Sequence, residues 1–336
     1  KEWQDLFNIC KKTSSEIMLS FCTLFDSNYA AKGLAMYQSL MKVCPAFHLY
    51  VFAFDDLIDN TLRKMNLPNM TVVSLSEFED EELLAVKPTR TKVEYCWTTT
   101  PSTIFYCINN YHLDHCTYLD ADLYFFSNPK VLIDEMGDSD VLITPHRYSK
   151  MYDQTLTSGK YCVQFNTFKN TENGLAVLKQ WRNDCIEWCY NRYEDGKRGD
   201  QMYLDTWMEK YQGIHELEHL GGGVAPWNMQ QYEFLKNEQG IQGVELISNK
   251  KFELVFFHFH YMFSVKKSIF REFSFEIYEL SDTTRKIVYL PYLKYLIKSF
   301  KYCKRFDKNL DGLATELYTK SWFAYLKTIR KRYINS

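Results

Sequence analysis

Short apolar runs alternate with helix-like segments in the N-terminal part of this chain, and that alternation constrains the fold more than any other feature. Ile17–Phe25, His48–Phe54 and Thr71–Leu75 read as strands. Between them, Ala30–Lys42, dominated by Ala, Leu, Met and Gln, and Leu57–Met65 read as helices. Asp26 or Ser27 supplies an N-cap for the first helix. Strand and helix taking turns in this order predict βαβ units, hence an α/β fold with a mostly parallel sheet covered by helices. A chain of 336 residues suffices for one large domain, or a domain with a tail.

Further along, Glu77–Val86 reads as an acidic helix, Lys87–Lys92 as a basic loop, and Thr98–Tyr111 as a helix with Pro101 in its first turn. Asp140–Thr144 and Tyr161–Phe168 read as strands, Leu175–Tyr193 and Met202–Tyr211 as helices, and Glu194–Gln201 as a polar loop. Leu220–Asn228 is glycine-rich, and Phe252–Met262 is an apolar strand carrying His258 and His260. Residues 1–15 form a short amphipathic lead-in.

The stretch Cys116–Phe126 reads as a buried strand interrupted by chemistry: Asp120 and Asp122 flank one small residue, Ala121, before Asn128-Pro129 stops the strand. Ligands in α/β folds bind at the carboxyl ends of strands. Two carboxylates desolvated there require a compensating cation. Hard oxygen ligands suit Mg²⁺ or Mn²⁺, which bridge phosphate oxygens. The alternative is a solvated acidic turn.

Composition narrows the classes. The net charge of −2 argues against general nucleic-acid binding. It hides an asymmetry: Lys294–Tyr333 holds eleven Lys and Arg against three Asp and Glu, a local charge near +8. Tyr289–Tyr302 and Trp322–Tyr333 there alternate aromatic and basic residues, as basic amphipathic helices do. A solvated helix face is one reading and peripheral attachment to an anionic membrane the other. Deleting residues from about 290 onward is expected to weaken liposome binding and to spare donor hydrolysis. The 25 Tyr and 24 Phe suit either a crowded aromatic core or surfaces that stack on sugars and bases. Ten cysteines include no C-x-x-C pair, so a zinc site is not expected; Cys185 and Cys189 have the spacing of one helix face. Buried free thiols imply a reducing cytoplasm. No apolar run reaches 18 residues and the first residues lack a signal-peptide core, so neither a membrane span nor a leader is expected.

Five motifs in order carry a resemblance. Phe21-Cys22-Thr23-Leu24-Phe25-Asp26-Ser27-Asn28-Tyr29-Ala30-Ala31-Lys32-Gly33-Leu34-Ala35, followed by Gln38-Ser39-Leu40, resembles the opening of glycogenin and related nucleotide-sugar transferases. Tyr118–Asp122 resembles their metal motif, Gln164–Phe168 their sugar-binding strand and Gly199-Asp200-Gln201 their Asp-Gln pair. Phe257-His258-Phe259 falls where they carry a metal-binding histidine. The resemblance spans residues 17 to 262 and is closest to bacterial surface-polysaccharide transferases, including the lipopolysaccharide galactosyl- and glucosyltransferases. Thr167 and Phe168 replace the small residues usual in the sugar-binding strand, and the family's His-x-x-Gly-x-x-Lys-Pro-Trp tail is absent: Tyr261 stands in place of Gly, and Lys266-Lys267 lack the Pro-Trp. Ser102 or Thr103 stands where glycogenin has a helix lysine near the donor.

The resemblance implies a GT-A fold glycosyltransferase using a nucleotide-sugar, of the UDP class, with Mn²⁺ or Mg²⁺, and acting with retention on a glycan or glycolipid of bacterial surface polysaccharide. Asp120, Asp122 and His258 would hold the metal, with His260 as the competing imidazole; a nitrogen ligand tilts preference toward Mn²⁺. Thr23, Phe25, Asp26 and Tyr29 would take the base and ribose, and Arg90 or Lys92 the missing positive charge. Gln164, Asn166, Trp227, Asn228 and His260 would meet sugar hydroxyls, with Asp200 and Gln201 at the anomeric carbon. Glu94, Tyr95 and Trp97 would line the mouth. The implied organisation is a catalytic domain over 1–280, with a nucleotide-sugar half near 16–130 and an acceptor half near 131–280, then a basic aromatic helical region over 281–336. Inversion with Asp200 or Asp205 as base, and a non-catalytic carbohydrate-binding protein, are the alternatives. A nucleotidyltransferase would need a Gly/Arg-rich first loop, which Phe25-Asp26-Ser27-Asn28 does not provide.

Overall fold

A computed structural model describes residues 18–238, 240–262, 264–266, 269–270 and 277–310. Strands β1 (Leu19–Phe25), β2 (Phe47–Ala53), β3 (Met70–Ser74), β4 (His115–Leu119), β6 (Val141–Pro145), β7 (Tyr161–Lys169) and β8 (Ile214–Glu216) form one sheet in the order β3-β2-β1-β4-β7-β6-β8. Helices α1 (Ala30–Val43) and α2 (Asp56–Met65) connect β1 to β2 and β2 to β3. The pairings β3·β2, β2·β1, β1·β4 and β6·β8 are parallel, whereas β7 runs antiparallel to both β4 and β6. The α/β class read from the sequence is therefore the class observed.

Both faces of the sheet are covered, which is why its strands read as continuous apolar runs. Leu19, Phe21 and Phe25 of β1 and Leu49, Val51 and Ala53 of β2 pack with Leu34, Tyr37 and Leu40 of α1. The alternate residues Cys22, Leu24, Tyr50 and Phe52 face α5 (Lys92–Tyr111) and α6 (Glu172–Glu187) through Ile104, Cys107, Ile108 and Trp181. Asp26 caps the turn before α1 by accepting the N–H groups of Asn28 and Tyr29, and Asp55 caps α2.

Several boundaries differ from the sequence reading. Glu77–Val86 is two helices, α3 (Leu75–Phe78) and α4 (Glu81–Val86), because Asp80 turns extended and caps the second. Helix α5 starts at Lys92, not Thr98, where Thr91 and Glu94 close a capping box. Pro101 is consequently interior. It cannot donate to the preceding turn, and the hydroxyls of Thr98, Thr99 and Thr100 bond back to the carbonyls of Glu94, Tyr95 and Cys96. Helix α6 begins earlier, at a Thr171 cap, and ends at Glu187 because Trp188 is extended. Cys189 is thus beyond the helix, though it is buried with Cys185. Met202–Tyr211 is a 3₁₀ stretch (Met202–Thr206) and one α turn (Trp207–Lys210). Of the nine cysteines among the described residues, eight are buried and Cys96 is half-buried.

Two further departures shape the site. Cys116–Phe126 is not one strand: β4 stops at Leu119, Asp120–Asp122 turn, and β5 (Leu123–Phe125) leaves the main sheet. Phe252–Met262 also divides. β11 (Lys251–Glu253) joins a small antiparallel sheet with β9 (Tyr232–Lys236) and β10 (Ile241–Glu245), while β12 (Phe256–His258) pairs with β5. His260 lies past the strand, before a turn at Tyr261, where φ is 59°.

The basic helix expected over Tyr289–Tyr302 is observed as α7 (Leu290–Phe306). Its buried residues Tyr292, Leu296, Ser299 and Cys303 recur at helical spacing, and it packs on α1. Tyr292 stacks on Phe259 with centroids 3.7 Å apart. Lys294, Lys298, Lys301 and Arg305 are exposed. The lead-in at 1–15 and the segment Trp322–Tyr333 lie outside the described residues. Among the described residues, no helix is long and apolar enough to cross a membrane.

Candidate metal centre

Asp120, Asp122 and His258 converge because β5 carries the chain away from the aspartates and then pairs with β12. His258 stands opposite Leu123 in that ladder, and the N–H of Phe259 donates to the carbonyl of Asp122 at 3.0 Å. On the other side, the N–H of Asp120 donates to the carbonyl of Gln164 in β7 at 3.0 Å. One ligand atom from each of Asp120, Asp122 and His258 lies within 4.8 Å of the others. His258 Nε2 is 3.0 Å from Asp122 Oδ1 and 3.7 Å from Asp120 Oδ2.

The second imidazole nitrogen fixes the ring. With Nδ1 protonated, it donates to Gln164 Oε1 at 2.9 Å, which leaves Nε2 toward the carboxylates. Two carboxylates and one oriented imidazole fit a divalent cation of the Mg²⁺–Mn²⁺ kind. Burial alone would raise Asp122, but the charges of His258 and Lys32 hold its carboxyl well below the usual range. Burial raises Asp120, with the Asp122 charge adding to it against the pull of His258. Burial pulls His258 down, and the charge and hydrogen bond of Asp122 more than reverse this.

The neighbouring polar groups fall into two sets. Gln164 and Asn166 are fully buried on the same side of β7. Asn166 Oδ1 accepts the N–H of Thr144 at 3.2 Å. Gln164 Nε2, Asn166 Nδ2 and Thr23 Oγ1 have no hydrogen-bond partner among the described residues. His260 is half-buried, edge-on to His258 at 5.7 Å, and burial and the His258 charge lower its pKa to about 3. Asp200 is buried, its carbonyl takes the Trp181 indole N–H at 2.9 Å, and burial and the Asp120 charge raise its carboxyl to about 8. Gln201 donates its amide to the carbonyl of Ser158 at 2.5 Å. Tyr29 follows the Asp26 cap, and Ala121 fills the turn between the aspartates.

Other expected site residues make contacts within the fold. The Phe25 ring is packed where a Gly33 side chain would be, and its carbonyl accepts the Phe54 N–H. Arg90 lies over the Tyr190 ring and bonds the carbonyl of Ile186 at the end of α6, so its charge caps a helix C-terminus. Lys92 pairs with the Asp26 carboxylate that caps the first turn. Trp227 is buried, with its indole N–H on the His146 carbonyl and its ring in T-shaped contact with the imidazoles of His258 and His260. Asn228 is buried, donates its amide N–H groups to the carbonyls of His146 and Gly223 and accepts the N–H of Ala225. Glu94 caps α5 and accepts the Asn191 N–H, Tyr95 bonds Glu79, and Trp97 packs under Gly199.

One residue of the centre was not singled out from the sequence. Lys32 is 1% exposed, and its Nζ lies 3.5 Å from Asp122 Oδ2 and 4.3 Å from the centroid of the Tyr29 ring. The available signal was a lone cation in the Ala-Ala-Lys-Gly-Leu-Ala-Met run that opens a buried helix.

Fold and site together define a carboxylate–imidazole centre at the carboxyl end of the β4 strand in a mixed α/β sheet. The chain belongs to the family of the uncharacterized protein YfnD of Bacillus subtilis (strain 168). It is 31% identical to that protein over 281 residues, which cover 81% of this chain and 87% of the relative. The uncharacterized protein YfnF of the same organism is 27% identical over 310 residues, 88% of this chain and 98% of its own length. No family model matches. Solved structures similar to this chain include the galactosyltransferase LgtC with donor and acceptor sugar analogs, at TM-score 0.47 and 14% identity over 83% of this chain and 96% of that one. The apo-form glycosyltransferase GlyE of Streptococcus pneumoniae TIGR4 gives TM-score 0.48 and 11% identity over 90% of this chain and 66% of that one. Mouse xyloside xylosyltransferase 1 gives 0.40 and 14% over 60% and 85%.

Proposed function

We propose that this protein is a metal-dependent GT-A glycosyltransferase that moves a sugar from a nucleoside-diphosphate sugar, of the UDP class, to a glycan or glycolipid acceptor. The observation that carries this is the convergence of Asp120, Asp122 and His258 within 4.8 Å, beside buried amide donors that a sugar would satisfy. A bound divalent cation supplies charge to the departing diphosphate. Asp120, Asp122 and His258 are its holders, and Gln164 orients His258. Gln164 Nε2 and Asn166 Nδ2, buried without partners among the described residues, suit the hydroxyls of a donor sugar. Thr23 and Tyr29 at the end of β1 suit the base and ribose. The sequence resemblance points to bacterial surface polysaccharide, including lipopolysaccharide, as the acceptor.

Retention is favoured over inversion. An inverting enzyme needs an ionised carboxylate as base. In the metal-free protein, burial and the Asp120 charge raise the Asp200 carboxyl to about 8, which disfavours its ionised form. Asp205 accepts the N–H groups of Lys160 and Tyr161 at 2.8 and 3.4 Å through one oxygen, Oδ1, which ties it to the start of β7.

The test is a thermal-shift and calorimetry panel with UDP, GDP, CMP and dTDP, each with and without Mn²⁺, on wild type and Asp122→Ala. A ligand bound by the folded state alone raises the melting temperature. A Mn²⁺-dependent rise with one nucleotide, lost in the variant, is expected and names the donor class. No shift with any nucleotide removes the transferase reading and leaves a carbohydrate-binding protein. NMR of the product anomer separates retention from inversion.

The exposed Lys294, Lys298, Lys301 and Arg305 of α7 support contact with an anionic membrane. The apolar side of α7 is committed to the fold, so a deletion from 290 would also strip the core. The cleaner comparison is the full chain against one ending at Leu310: weaker sedimentation of the shorter chain with anionic liposomes is expected, and equal binding places any contact within the first 310 residues.

A further inference from the structure

Three thiols from separate parts of the chain meet on the face of the sheet that α5 covers. Cys22 of β1, Cys107 of α5 and Cys116 of β4 are each 0% exposed, and their Sγ atoms all lie within 4.8 Å of one another. Cys22 Sγ also stands 3.6 Å from Thr103 Oγ1, a hydroxyl that gives its own proton to the Thr100 carbonyl at 2.7 Å. Tyr50, Ile104, Ile108 and Tyr118 pack in the same apolar cluster. Direct oxidation does not suit the two strand thiols. Cys22 stands opposite Tyr118 in the β1·β4 ladder, so Cys22 and Cys116 are diagonal neighbours, about 7–8 Å apart at the backbone, whereas a disulfide needs Cα atoms closer than ~7 Å. An atom seated between the three sulfurs bonds to all of them without asking any pair to meet.

Charge selects that atom. Thiolates favour soft, thiophilic ions, and a complex with net charge would be stranded in this apolar layer. Bound by all three sulfurs as thiolates, a monovalent ion leaves two negative charges, a divalent ion leaves one and a trivalent ion leaves none. We propose that Cys22, Cys107 and Cys116 form a binding site for a trivalent thiophilic ion, arsenic(III), taken up as arsenite. The step is an exchange without redox. Arsenous acid, As(OH)₃, and three Cys S–H groups give As(S-Cys)₃ and three waters; each As–O bond is replaced by an As–S bond, and each thiol proton leaves on a departing hydroxide. Reactants and product are uncharged, so neither entry nor binding places a charge in the core. The site is separate from the Asp120–Asp122–His258 centre and stands whichever way that centre is read. A bound ion would tie β1, β4 and α5 together and raise the melting temperature.

The test equilibrates the reduced full chain with sodium arsenite and removes the excess. Elemental mass spectrometry then counts arsenic per chain, and X-ray absorption at the arsenic edge counts the sulfurs around it. Cys107→Ala and Cys116→Val remove one ligand each, and circular dichroism selects whichever folds as wild type does. Cys185→Ala is the control, because Cys185 is buried with Cys189 in a different place from the three thiols. One arsenic per chain on three sulfurs is expected in wild type and in Cys185→Ala, with a higher melting temperature than the arsenite-free protein. Loss of that three-sulfur complex is expected in the variant of the cluster. No bound arsenic in wild type, coordination by only two sulfurs, or a three-sulfur complex that survives in the cluster variant overturns the proposal. Arsenic lost from Cys185→Ala instead assigns the binding to the other thiols and overturns it as well.

Discussion

Replacing Asp122 with Asn in metal-free protein separates two physical accounts of the centre. If Asp120 and Asp122 are a pair of repelling carboxylates awaiting a metal, neutralising one should stabilise the empty protein. The position of Lys32 predicts the opposite sign. Its ammonium is 3.5 Å from Asp122 Oδ2 and 1% exposed. At an effective dielectric of ~20, one unit pair at that separation is worth about 5 kcal/mol, in line with the ~3–5 kcal/mol lost when one partner of a buried pair is removed. Part of this returns, because the Asp122 charge that helps to raise Asp120 is then gone. A net loss of about 2–3 kcal/mol remains, or roughly 3–4 °C in melting temperature for a chain of 336 residues. The assay is thermal unfolding in EDTA of wild type, Asp122→Asn, Lys32→Met and the double variant. Asp122→Asn should melt lower, and the double variant should recover most of the loss, because the buried ammonium is gone as well. Added Mn²⁺ should raise the wild type and leave both Asp122 variants unmoved. An Asp122→Asn protein as stable as wild type in EDTA, or more so, would refute the buried-charge argument.

Other expectations follow from the same geometry. Gly221→Ala would place its Cβ 1.8 Å from the carbonyl oxygen of Glu253, while the Gly221 carbonyl holds the N–H groups of Val255 and Phe256 beside β12; urea melts should show a loss of about 3 kcal/mol or more. Trp181 stacks on Phe168, meets Trp207 edge-on and bonds the Asp200 carbonyl; Trp181→Ala should cost ~3–5 kcal/mol and Trp181→Phe about 1 kcal/mol for the lost hydrogen bond, both read by denaturant unfolding. His146 is kept neutral by burial, which lowers its pKa to about 3. Because that lies below the unfolded value of ~6.5, its contribution is present above that pH and is lost on acidification, about 2 kcal/mol between pH 7 and pH 5. His146→Gln should lose that much less than wild type over the same interval. Tyr292→Ala removes the ring stacked on Phe259, next to His258; a loss of ~3–5 kcal/mol is expected, with weaker Mn²⁺ binding in a titration of the folded variant.

Much of the architecture was legible because local patterns and the final fold agree. The apolar runs at Ile17–Phe25 and His48–Phe54 became β1 and β2 within a residue or two, since strands buried on both faces must be apolar throughout. Asp26 caps its turn as read, because an aspartate before a helix start finds its acceptor role within three residues. Boundaries failed where a distant or unusual partner decided them. Pro101 looked like a first-turn proline, yet the Thr91–Glu94 capping box starts α5 earlier and leaves Pro101 interior.

The sequence by itself determined which groups are present: a carboxylate pair around Ala121, an apolar segment holding two histidines, and a strand with Gln164 and Asn166 on one side. Tertiary structure alone decided how they meet. The antiparallel β5·β12 pairing brings His258 to Asp122, and the β4·β7 register sets Gln164 behind His258. The same packing withdrew Asn228 and Arg90 into backbone hydrogen bonds and brought Lys32 against Asp122. Hydrogen bonding and Coulomb attraction act over a few ångströms in space, whatever the separation along the chain, so the residue types were readable in order while their partners were set only by the closed fold.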